Sequence, residues 1–72
     1  MILNERLKDL RLKKKATQQN VADALGVTVG NVQKFEYGTA RPKLDNVIKI
    51  AEYFDVSIDY LVGRSNNPAR LP

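Results

Sequence analysis

An all-α domain is the fold class this 72-residue sequence predicts. Two observations predict it. Apolar residues recur at spacings of three and four along separate segments, the period that puts a stripe on one face of a helix. Those segments are also punctuated in the manner of helices: Thr17, Thr28 and Ser57 stand just ahead of a segment, where a hydroxyl can accept an orphan N–H bond. Gly26, Gly38 and Gly63 stand just behind one, where a left-handed residue ends a helix without a Cβ penalty.

Leu3, Leu7 and Leu10 predict a first helix over about residues 4–14, with Asn4 as N-cap and Glu5 in the first turn, where the helix dipole favours an acid. Leu12 falls off that stripe and is expected at the surface. Lys13, Lys14 and Lys15 close the helix; they either complement the negative end of the dipole or contact phosphate. Arg11 borders the buried face, where an unpaired charge is expensive, and Glu36 is its candidate partner.

From Thr17 to Gly38 the chain reads TQQNVADALGVTVGNVQKFEYG. Val21, Ala22 and Leu25 form the stripe of a second helix. Gly26 ends it, Val27 packs back on it, and Thr28 caps a third helix over about residues 29–37. A short helix, a glycine turn and a second capped helix make the layout of a helix-turn-helix, whose second helix enters the DNA major groove. With Val32, Phe35 and Glu36 inward, a step of about 100° per residue points Gly30, Gln33, Lys34 and Tyr37 outward, flanked by Val29 and Asn31. No acid lies on that face. Lys34 can donate to guanine O6 or N7, Gln33 can bond an adenine edge or a phosphate, and Val29 can touch a thymine methyl. Gly30 has no side chain with which to read a base, but it permits close approach of the backbone.

Thr39 to Lys43 is a connecting loop, with Arg41 and Lys43 placed beyond the third helix where the chain would pass a phosphate backbone. Leu44, Val47, Ile48, Ala51 and Phe54 give a fourth helix its expected core stripe, with Ile50 beside it and Asp55 at its end. Val56 packs inward, and Ser57 caps a short fifth helix over residues 58–62. Residues 1–63 are thus read as one domain. Residues 64–72, RSNNPARLP, lack apolar periodicity, contain two prolines, and read as an irregular mobile tail or the start of a linker.

Composition narrows the function further. A net charge of +4 favours a polyanionic partner without identifying one. Cysteine and histidine are both absent, which removes disulfide frameworks and the usual zinc sites and is compatible with a reducing cytoplasm. No uninterrupted apolar run exceeds three residues, so neither a membrane span nor the apolar core of a signal peptide is expected. Asp55 and Asp59 straddle a helix break and make no convincing acid pair. With no nucleophile–base pair and no glycine-rich phosphate loop, the sequence predicts neither an enzyme nor a cofactor or metal site.

Taken together, RLKDLR, TQQNVADALGV, the helix ending in FEYG, and RPKLDNVIKIAEYFDVSIDYLVG closely resemble the Xre-type, lambda-repressor-like DNA-binding domain over residues 4–63. The resemblance implies five helices with residues 17–38 as the reading unit. Carried to matching positions, it implies base readers at Thr28, Val29, Gly30 and Lys34, to which the outward face adds Gln33. Phosphate contacts fall on Gln18, Tyr37, Arg41 and Lys43, with Asn31 added from the flank of the same face. The family's buried ion pair falls on Arg11 and Glu36. Four residues depart from the pattern. Lys15 stands where many relatives have a helix-ending glycine, Ala16 replaces a larger apolar residue, Lys43 replaces a Ser or Thr cap, and Gly30 holds a base-reading position without a side chain.

The expected function is a sequence-specific transcriptional regulator, a repressor that binds a two-fold operator in double-stranded DNA as a homodimer. Tyr60 and Val62 are the candidate dimer residues, and core packing is the competing role for them. The alternative, from a different class, is an antitoxin or protein-interaction module with a regulatory protein partner and DNA binding secondary.

Overall fold

Leu3 and Leu7 are buried on the first helix, Val21, Ala22 and Leu25 on the second, Val32 and Phe35 on the third, and Val47, Ile50 and Ala51 on the fourth, with Leu61 closing the cluster from the fifth. In the computed structural model, which describes residues 2–70, these side chains form one core. The helices are α1 (Ile2–Lys13), α2 (Gln18–Leu25), α3 (Val29–Tyr37), α4 (Leu44–Phe54) and α5 (Ile58–Leu61). The fold is all-α. α2 and α3 pack on each other, α1 backs onto α3, α4 and α5, and α4 lies against α2 and α5.

The helix ends follow local chemistry. Thr17 accepts a bond from the Asn20 amide while the Asn20 side chain accepts from the Thr17 amide, both at 2.9 Å, so two orphan donors are satisfied reciprocally. Gly26 is left-handed at φ 71°, and the amide of Val27 returns to the carbonyl of Ala22 at 3.0 Å. Asp55 takes the same role after α4 at φ 54°, as its short polar side chain allows. Lys15, after α1, is the other left-handed residue that is not glycine (φ 57°) among those described, so the departure from glycine there is accommodated by strain. Lys43 precedes α4 without a side-chain capping bond.

Several expectations are corrected. Asn4 does not cap α1, which begins at Ile2. Its side chain turns inward and donates to the Glu36 carbonyl at 3.3 Å, a tertiary bond that a local cap pattern does not announce. In α4 the core stripe is rotated: Ile50 is fully buried, whereas Leu44 and Ile48 are 68% and 39% exposed. Ile48 and Ile50 bound an apolar arc of about 160°, wider than the surface α4 packs on, so one edge stays in water. α5 stops at Leu61, with Val62 flanking it.

Residues 64–70 form no helix but lie back along the domain. The Ser57 amide donates to the Pro68 carbonyl at 2.9 Å, and Arg6 donates to the carbonyls of Tyr60 and Ser65 and to Asn66 Oδ1. These bonds connect the stretch to α1 and to the start of α5. Met1, Leu71 and Pro72, at the ends of the expected domain and tail, lie outside the described residues.

Candidate nucleic-acid interface

The reading unit begins with a charge placed where water is scarce. Glu36 is 7% exposed near the end of α3, on the face turned toward α1 and α2. A carboxylate there requires donors. Arg11 supplies two in a bidentate pair, Nε to Oε2 at 2.6 Å and Nη2 to Oε1 at 3.1 Å, and its Nη1 also holds the Ala16 carbonyl at 3.1 Å. Gln18, the first residue of α2, donates a third bond to Oε1 at 3.2 Å. One carboxylate therefore fastens α1, α2 and α3 together and sets the angle at which α3 is presented.

The opposite face of α3 is open. Gln33 and Lys34 are exposed, and Tyr37 is 78% exposed. Glu36 is the only acid of this helix, and its burial leaves the outer face free of carboxylates. At the N-terminal end, Thr28 is exposed and its hydroxyl accepts from the Asn31 amide at 3.2 Å. Asn31 is likewise exposed. Val29 is half-buried against the core, so part of its side chain is spent on packing. A Cβ on Gly30 would meet nothing closer than the Thr28 hydroxyl at 3.8 Å, so packing does not demand glycine there. Arg41 and Lys43 are exposed in the loop that follows α3.

Gln18 differs from the other expected phosphate ligands. It is half-buried, its nitrogen is engaged by Glu36, and its oxygen accepts from Gln33 Nε2 at 3.4 Å. The candidate dimer residues also divide. Val62 is 41% exposed, whereas Tyr60 is half-buried with the Arg6 guanidinium 4.0 Å from its ring centroid. Lys14, expected on the dipole or on phosphate, lies over Tyr53 at 4.0 Å from the centroid and donates to the Tyr53 carbonyl at 2.9 Å.

Sequence reasoning missed two residues and one contact. Asn20 was legible in principle, since a side-chain acceptor three residues after a Thr cap is the capping-box spacing. Arg6 and the bond between Gln18 and Gln33 carried no such signal, because their partners are brought in by the packing of separate helices.

The family model for helix-turn-helix proteins matches residues 7–61, a span that runs from α1 through α5 and includes the whole reading unit. The chain belongs to the Xre-type, lambda-repressor-like helix-turn-helix family. Within this family it is 44% identical over 66 residues to the uncharacterized HTH-type transcriptional regulator YqaE of Bacillus subtilis (strain 168), covering 90% of this chain and 57% of that protein. It is 38% identical over 64 residues to the cryptic phage CTXphi transcriptional repressor RstR of Vibrio cholerae, covering 89% of this chain and 57% of the relative. The chain thus spans little more than half the length of these helix-turn-helix relatives. Among solved structures, a transcriptional regulator from Listeria innocua superposes with a TM-score of 0.82 at 31% identity, over 85% of this chain and 57% of that one. No helix among the described residues is long and apolar enough to cross a membrane.

Proposed function

We propose that this domain binds double-stranded DNA sequence-specifically, with α3 in the major groove, and that it serves a transcriptional regulator of the repressor kind acting in the cytoplasm. The observation that carries this reading is the acid-free outer face of α3, held at a defined angle by the buried Arg11–Glu36 pair. Lys34 is the principal base reader, donating to a guanine edge, with Gln33 addressing a neighbouring base and Thr28 and Val29 reading at the helix start. Gly30 brings the backbone close to the base edges. Asn31, Tyr37, Arg41 and Lys43 contact phosphates and set the register without carrying sequence information. Gln18 has one N–H left for a phosphate.

A homodimer on DNA reads two half-sites about 34–36 Å apart, and exposed Val62 is the better placed of the two dimer residues. The similarity to transcriptional regulators, one of them a phage repressor, supports the same reading.

Selection from a random DNA pool near physiological salt tests it. An enriched inverted repeat is the expected result. Binding that enriches nothing and falls steeply with salt would reduce the face to phosphate contact, and no binding at all would move the domain to a protein-interaction role.

A further inference from the structure

Leu3 on α1, Val47 on α4 and Val62 just after α5 meet on one side of the domain. With Arg41 and Pro42 of the loop after α3 they line a cavity of about 360 Å³. Leu3 and Val47 belong to the core cluster, so core side chains face into it, and Val62 is exposed at its wall. Four of the five lining residues are apolar, and Arg41 is the one that carries charge. It is exposed, and the ion pairs among the described residues, Arg11–Glu36 and Arg70–Asp55, give it no carboxylate. No acid lines the cavity to compete for Arg41 or to repel an anion. Small-molecule sites are built in this way, with a concave, mainly apolar wall that takes the body of the ligand and a few polar groups that orient it. A guanidinium suits a carboxylate, which it can hold through two parallel N–H bonds.

Resting on the DNA reading above, we propose that this cavity binds a small apolar monocarboxylate and that the bound acid regulates the domain by taking Arg41 from phosphate. The hydrocarbon body lies against Leu3, Val47 and Val62, and the carboxylate lies on Arg41. A guanidinium held by the acid leaves the phosphate contact unmade. Acid and DNA therefore bind against each other, and by linkage each lowers the affinity of the other by the same factor. A neutral molecule of the same shape enters the cavity without this effect.

Octanoate and its uncharged counterpart octanamide are the probes, titrated into the free full chain and followed by the NMR signals of Leu3, Val47 and Val62. Both are expected to move these signals, with octanoate bound more tightly. Arg41→Gln changes an exposed side chain and leaves the fold intact. It is expected to weaken octanoate roughly three- to ten-fold, between the strength of an exposed ion pair and that of a hydrogen bond to a charged group, and to leave octanamide unchanged. Octanoate that moves none of the three signals, or that Arg41→Gln binds as tightly as wild type does, would overturn the site. Signals that move with protein concentration alone, and not with octanoate, would assign the cavity to a second copy and overturn it too.

The regulation is read on DNA. Saturating octanoate, compared with acetate at equal concentration, is expected to lower the DNA affinity of wild type by roughly five-fold, the low end of coupling between sites. Octanamide should leave that affinity unchanged. Octanoate bound with no change in DNA affinity would overturn the regulation. A protein that binds octanoate but no DNA would overturn the DNA reading and the regulation together, while leaving the site in place.

Discussion

Glu36 and Gly30 sit six residues apart on one helix and illustrate opposite economies. Glu36 is held by three side-chain donor bonds, and removing it leaves the Arg11 guanidinium, whose side chain is 13% exposed, without its counter-charge. Breaking a buried pair from one side typically costs about 3–5 kcal/mol. Glu36→Ala should therefore lose about that much by urea denaturation, and an unchanged midpoint would mean that the pair contributes no stability. A Cβ on Gly30 would make only an ordinary contact with the Thr28 hydroxyl at 3.8 Å. Gly30→Ala should gain up to about 1 kcal/mol, the helix propensity that glycine forgoes. If the same variant weakens DNA binding while raising the melting temperature, close approach of the backbone explains the glycine. Stabilisation with unchanged binding would remove that role. Both glutamic acid and glycine stood out in the sequence, but only the packing around them distinguishes a necessary residue from a replaceable one.

At the level of elements, caps were easier to read than faces. Thr17, Thr28 and Ser57 cap α2, α3 and α5 as their sequence positions predict, since each bond is made within three residues. Thr17→Ala should cost about 1 kcal/mol and speed amide exchange at Asn20 first; exchange there at the wild-type rate would mean that the capping box is not formed in solution. The buried face of α4 was less legible, because Leu44, Ile48 and Ile50 are equally apolar and only the neighbouring helices choose among them. The stretch after α5 follows the same logic. Arg6 on α1 stacks on Tyr60 and bonds Ser65 and Asn66, partners 54 to 60 residues away along the chain. Arg6→Ala should accelerate hydrogen exchange selectively across residues 63–67; protection equal to wild type would show that Arg6 does not hold this stretch.

For the molecule as a whole, charge governs how the proposed complex responds to salt. A net charge of +4 steers the domain toward a polyanion, but affinity for phosphate resides in individual contacts. Arg41→Gln should reduce the slope of log K against log salt by about 0.9 and leave the selected sequence unchanged. A slope equal to that of wild type would take Arg41 off the phosphate list, and a changed sequence would make it a base reader.

The amino-acid order determined the helix class, the caps of α2, α3 and α5, the helix-turn-helix spacing and the acid-free face of α3. These depend on interactions within a few residues, so a linear pattern contains them. The pairing of Arg11 with Glu36 was also within reach, because a charge beside an apolar stripe announces a need for a partner. Tertiary structure decided the rest: which edge of α4 is buried, that Asn4 bonds α3 rather than capping α1, and that Gln18 turns its oxygen toward Gln33. Each of these is set by groups distant in sequence that meet only when helices pack.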